Sequence, residues 1–254
     1  MTLRKSVLKL GLVAAAVLQP MALPSADATT VSPVMVDLQT AGRAVVQNVS
    51  VTNTGAGPMP VEIATSALDP TPTGFATGKT SADDLLVVPP SALIPAGQTQ
   101  TFRVQWIGDP DISSSKHYYV SVNQLPVKLP EGQSAVQIVY NFQVLVSVSS
   151  PGRKPALSIR SVVPTTAEGK PAVAVTVENS GQAHGYISQH RIKISETNAR
   201  GEDVFTKTIS GAEFQQLVGY GLVATGQTRT VTVPLDGAPA GGKFSAAMMD
   251  DRAQ

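Results

Sequence analysis

Few residues in this chain are of types that do chemistry, and their spacing brings none of them together. The histidines are His117, His184 and His190. A pair six residues apart matches neither one helix face nor the spacing of a zinc-ligand set, so surface or edge-strand imidazoles are expected. Asp83 and Asp84 are adjacent, as are Asp250 and Asp251. Neighbours on a strand point to opposite faces and cannot converge as a general acid and base, so both pairs read as solvated turn or terminal residues. Trp106 shares parity with Phe102 and Val104 in "FRVQW", which makes it a core residue rather than a ligand platform. "GYGLVATG" (219–226) is glycine-rich but has no lysine and no following helix to hold a phosphate, so it reads as a loop before a strand. No nucleophile elbow, P-loop or dinucleotide fingerprint occurs. With no cysteine there is no disulfide framework, thiolate metal site or cysteine nucleophile. The expectation is a protein that is not an enzyme and holds no metal and no cofactor, binding instead through its backbone.

Charge narrows the partners. A formal net charge of +1, with 15% charged residues, supplies no basic face for nucleic acid and no acidic tail. Arg4, Lys5 and Lys9 precede an apolar run from Leu10 to Leu18, which is followed by Pro20, Pro24 and "ADA" ending at Ala28. This is the pattern of a cleaved secretory signal over 1–28. The run is about half of the roughly 20 residues that span a bilayer as a helix, so no membrane span is expected. A periplasmic destination follows where the source has an outer membrane.

The elements that would position a binding surface are strands. At 254 residues and 42% hydrophobic content, the chain is long enough for two domains. Beyond residue 28, period-two alternation dominates and helical periodicity is scarce. The expected strands are "TVSPVMVDL", "AVVQNVSVTN", "PVEIATSAL", "DLLVVPP", "TQTFRVQWI", "HYYVSVNQLP" and "SAVQIVYNFQVLVSV". Gly, Pro, Asn and Asp clusters of turn-forming type separate them. This is the pattern of an immunoglobulin-like sandwich. Two motifs then recur in the same order: "VSVTNTG" (49–55) returns as "VTVENSG" (175–181), and "GQTQTFRV" (97–104) as "GQTRTVTV" (226–233). The fold class is therefore all-β, with two immunoglobulin-like sandwiches at 29–148 and 156–254, joined by a short linker, 149–155, and packed at an angle as a boomerang with a cleft between them.

The stretch Ser134–Val148 is unusual. Val136, Ile138, Tyr140, Phe142, Val144, Val146 and Val148 alternate with small or polar residues, and no charge occurs between Glu131 and Arg153. An ungated strand of this kind aggregates if its edge is open. Two readings are compatible with it. In one it is a central strand whose Gln137, Asn141, Gln143 and Ser147 face solvent. In the other, part of it is lent to complete another protein's sheet.

The secreted two-sandwich layout, "SPVMVDL", "VSVTNTG", "DDLLVVPPSALIPAGQTQTFRV", and "YYVSVNQLP" before a long uncharged strand together resemble the PapD-like periplasmic chaperones of the chaperone/usher pilus pathway. The resemblance covers the first domain and, more weakly, the second. It implies a chaperone that binds, folds and caps pilus or fimbrial subunits by donating a β-strand and delivers them to an outer-membrane usher. It places the subunit-binding strand at Val136, Ile138 and Tyr140, continuing to Phe142. Bound subunits, or self-association of the free protein, would cover that strand.

The family anchors the subunit's C-terminal carboxylate with an Arg on the first strand and a Lys on the donating strand. Here those positions hold Met35 and Leu145, which cannot grip a carboxylate. Arg103 is the candidate substitute anchor, set against its reading as an ordinary surface arginine. The competing functions are a secreted pilus subunit or adhesin, and a ligand-binding immunoglobulin-like protein.

Overall fold

The computed structural model describes residues 29–78, 82–127, 138–238 and 242–250. The expected secretory signal and Val136 lie outside the described residues.

Among the described residues, the first domain contains ten strands. They are β1 (Thr29–Ser32), β2 (Met35–Gln39), β3 (Val46–Asn53), β4 (Met59–Thr71), β5 (Gly74–Thr77), β6 (Leu85–Val88), β7 (Ser91–Ile94), β8 (Thr99–Trp106), β9 (Lys116–Gln124) and β10 (Asn141–Ser149). One sheet has the order β1-β3-β8-β6, and the other β2-β10-β9-β4-β5 with β7 also on β4. Alternate residues of both sheets meet in one core, including Val36, Leu38, Val49, Val51, Phe102, Val104, Trp106, Val144 and Val146. Trp106 is buried, as its parity requires, and its indole N–H donates to the Asp109 carbonyl.

Three expectations are corrected here. "TVSPVMVDL" is two strands in two sheets. Pro33 has no N–H for a ladder, so β1 pairs with β3 in one sheet and β2 with β10 in the other. β5 and β7 were not anticipated: "GFAT" and "SALI" are too short to show alternation. Of the strand expected over 134–148, residues 134–137 lie outside the described residues and 138–140 are not regular strand, which starts at Asn141, because its partner runs out. β9 ends at Gln124, and the next amide, Leu125, donates to Pro60 O rather than across to β10.

The second domain carries β11 (Leu157–Ala167), β12 (Lys170–Asn179), β13 (Gly185–Tyr186), β14 (His190–Thr197), β15 (Asp203–Ile209), β16 (Leu222–Val223), β17 (Thr228–Pro234) and β18 (Lys243–Asp250). The orders are β11-β12-β17, β15-β14-β18 and the pair β13-β16. A separate core gathers Val173, Val175, Ile192, Ile194, Ile209, Phe214 and Val233. A single α-helix among the described residues, α1 (Gly211–Val218), starts where Ser210 Oγ accepts the Glu213 amide at 3.2 Å. Phe214 anchors it in the core. "GYGLVATG" is the loop that follows α1, with β16 inside it.

Candidate functional site

β10 divides into two parts. From Leu145 to Ser149 it is enclosed between antiparallel β9 and parallel β2, with Val146 and Val148 fully buried. Before Leu145, β9 still pairs with it, but among the described residues no strand covers its other edge. The Leu145 amide donates to Val34 O, so Leu145 turns its backbone polar groups toward β2, while the Tyr140 carbonyl faces β9 and accepts from Gln124 N. By alternation, Gln143 and Asn141 present N–H and C=O to the open edge.

The side chains around this edge are apolar and uncovered. Ile138 is 69% exposed and Tyr140 41%, beside exposed Val139, Leu125 and Val127. Phe142 is half-buried: it packs on the core and stacks with Tyr140 at 6.0 Å between centroids. A groove of about 240 Å³ runs between Ile138, Tyr140 and Val127 on one side and Thr29, Pro58 and Met59 on the other.

Met35 and Leu145 are direct cross-strand partners, so the structure brings the two non-anchoring positions together. Leu145 lines a cleft of about 210 Å³ between the domains, with Phe75, Tyr119, Tyr220, Leu222 and Arg229. Arg229 Nη1 donates to Leu222 O at 2.8 Å, and its guanidinium lies 6.0 Å from the Phe75 ring centroid. Its Nε is buried without a partner, and among the described residues no carboxylate pairs with it. Burial lowers its pKa from the ordinary value.

Arg103 is elsewhere. It sits on β8, paired with Asn48 and Val88, on the exposed outer face of the sheet opposite β10. Its alternation with Phe102 and Val104 fixes which face it takes, but not which sheet.

The expectation of surface histidines is corrected for two of the three. His117 and His184 are 3% and 8% exposed and meet at the joint between the domains. Their ring centroids are 5.3 Å apart. His184 Nε2 lies 3.1 Å from Asp37 Oδ1 and its Nδ1 3.0 Å from Ser115 Oγ, which also accepts the His184 amide. Tyr186 O–H donates to Asp37 at 2.6 Å. Ser147, expected in solvent, is fully buried here, 3.0 Å from His117 Nδ1 and 3.2 Å from Tyr186 Oη. Burial would raise the Asp37 pKa, but the His184 and Tyr186 hydrogen bonds outweigh it and hold the carboxyl below its ordinary value. For His117, burial followed by the neighbouring His184 pushes the pKa down to about 3. His117 stands in an apolar strand, whereas His184 lies in the Gly-containing loop before β13, and contact across 67 positions leaves no trace in local spacing. Asp84 is likewise no free turn residue, accepting from Lys116 Nζ at 2.6 Å and Tyr118 O–H at 3.0 Å.

Comparison with known proteins agrees with this architecture. Residues 29–148 match the family model described as pili and flagellar-assembly chaperone, PapD N-terminal domain. No curated protein matches the chain. The crystal structure of the class 5 fimbriae chaperone CfaA is 12% identical over 87% of this chain and 99% of its own, with a TM-score of 0.51. A chain from the chaperone–tip adhesin complex of CFA/I fimbriae biogenesis is 12% identical over 87% of this chain and 98% of its own, with a TM-score of 0.50. At these identities the likeness is one of fold, and it extends through both domains. The chain is accordingly PapD-like, its residues 29–148 matching the N-terminal domain of the pili and flagellar-assembly chaperones.

Proposed function

We propose that this protein is a periplasmic chaperone that binds unfinished pilus or fimbrial subunits through the open edge of Ile138–Val144 and passes them to an outer-membrane usher. The observation that carries the reading is a strand held in place by β9 on one side and, among the described residues, bare on the other, with Ile138 and Tyr140 exposed beside it. Extended chains add to such an edge by main-chain hydrogen bonds while alternate side chains fill the partner's pockets. Burying three large apolar side chains contributes roughly 1.5–3 kcal/mol each before ordering costs. Residues 149–155 then act as the joint between the sandwiches, and 1–28 as the secretory signal.

The cleft supports a direction for the bound chain. A segment running parallel to β10 ends its C-terminus at Leu145, where the guanidinium of Arg229 is the nearby cation for a terminal carboxylate. Arg103, on the far sheet, has no route to that end.

The test is affinity capture with the protein from its own periplasm, comparing wild type, Ile138→Arg and the control Val204→Arg, which alters an exposed apolar residue in the second domain. A sandwich-type subunit retained by wild type and Val204→Arg but lost with Ile138→Arg is the expected result. Equal retention by all three would overturn strand donation at this edge.

A further inference from the structure

The buried histidines at the joint do not belong to the strand or its cleft edge, and their geometry has a consequence of its own. Both ring nitrogens of His184 have acceptors: Nε2 faces Asp37 and Nδ1 faces Ser115, whose oxygen can accept both His184 N–H groups. His117 lacks one. An imidazolium needs two acceptors, and His117 has Ser147 at Nδ1 while its Nε2 is buried with no partner. None of the groups around it supplies the second acceptor. From β2, Asp37 is taken up by His184 and Tyr186. From the second domain, His184 faces it edge-on at 5.3 Å, with Tyr186 behind His184. From β5, Phe75 covers it at 5.2 Å, with Arg229 beyond. On the opposite side, Asp69, Asp84 and Lys116 share with it a pocket of about 320 Å³, in which Lys116 already neutralises Asp84.

We propose that this joint is an acid-released latch, in which protonation of His117 separates the Asp37–His117–Ser147 face of the first domain from His184 and Tyr186 of the second while both sandwiches stay folded. Water reaches both ring nitrogens only when the joint opens, so the open form binds the proton that the closed form excludes. Linkage fixes the sign: the open-to-closed ratio rises as pH falls below about 6.5, by roughly tenfold per unit. The joint and the cleft share a wall, since Phe75 touches both His117 and Arg229. Opening therefore draws Tyr220, Leu222 and Arg229 away from Leu145 and Tyr119. Subunit release in acid would follow, a consequence that rests on the chaperone reading although the latch itself does not.

The chain has no cysteine, so spin labels can be placed solely at introduced ones. Labels at Thr101→Cys on β8 and Thr166→Cys on β11, both exposed, report the separation of the domains. Distance distributions would be recorded at pH 7.5 and 4.5, with far-ultraviolet circular dichroism on the same samples. One narrow distance at pH 7.5 is expected, joined at pH 4.5 by a longer, broader population with unchanged strand content, the open-to-closed ratio having risen about 100-fold from its value at pH 7.5. His117→Gln, which keeps a Ser147 partner without titrating, should hold the single distance at both values, as should the apolar His117→Leu. The latch is refuted if the wild-type distribution does not change, if both His117 variants change as wild type does, or if strand signal is lost together with the short distance. None of these outcomes depends on Ile138.

Discussion

Asn53 and Asn179 do the same work in the two sandwiches, and they explain why the sequence repeats where it does. Asn53 Nδ2 donates to Gly57 O at 2.7 Å and Ile94 O at 2.9 Å, while its Oδ1 accepts from Gly55 N at 3.0 Å. Its backbone exchanges bonds with Gly97 and Gln98. Asn179 repeats the set with Ala183 O, Val223 O, Gly181 N, Gly226 and Gln227. Gly97 and Gly226 have φ of 70° and 69°, a left-handed turn that favours glycine. Thus "NTG" in the first domain and "NSG" in the second each touch a "GQT" that is distant in sequence. Asn53→Ala should remove three side-chain bonds and strand buried partners, destabilising the first domain by about 3 kcal/mol in urea unfolding. Asn53→Asp should be nearly as costly, since a carboxylate cannot donate to Gly57 or Ile94. A loss below 0.5 kcal/mol for both would show that the hub contributes little.

At the scale of the element, β10 looks uniform in sequence and is not uniform in the fold. Its alternation runs unbroken through Ser134–Val148, which made both the core and the lent-edge readings legible, yet the boundary between them is set by other strands. β2 starts covering it at Leu145 and β9 stops supporting it at Gln124, facts of register that periodicity within one segment cannot hold. The same limit explains Pro33, where one apparent strand becomes two, and Arg103, whose parity was readable but whose sheet was not. Two substitutions separate the halves of the strand. Val144 is fully buried, so Val144→Ala should cost about 2 kcal/mol in lost burial and cavity without altering subunit capture by the folded protein. Ile138→Arg should leave the unfolding midpoint within about 0.5 kcal/mol of wild type while abolishing capture. Should Ile138→Arg destabilise as Val144→Ala does, the exposed half is part of the core after all.

At the scale of the whole molecule, the two sandwiches are coupled by a polar joint rather than a shared hydrophobic core. The β4–β5 hairpin reaches across so that Thr230 N–H donates to Pro72 O at 2.9 Å, and Arg153 Nη1 donates to Ser113 O at 2.6 Å. Such interfaces permit relative domain motion unless specific contacts hold them. The most directional contact is the Tyr186 hydroxyl on the Asp37 carboxylate, a charge-assisted bond of 2.6 Å. Removing it in Tyr186→Phe should weaken the coupling by about 2 kcal/mol and resolve a single urea transition into two, with each core retaining its own signal. The pH dependence follows from the same groups. The folded His117 pKa, at about 3, lies below the ordinary 6.5, so its neutral form contributes fully above 6.5 and is lost as pH falls toward 3. The slope across that window approaches 1.4 kcal/mol per unit. Asp37, also depressed, supports the fold above the ordinary carboxylate value of 3.8 and fails only as pH falls through its lower folded pKa. Acid loss should therefore begin near pH 6.5 rather than near pH 4, and His117→Gln should move that onset down into the carboxylate range. A wild-type stability that stays flat from pH 7 to pH 4.5 would mean that His117 is protonated in place and that the joint carries no proton linkage.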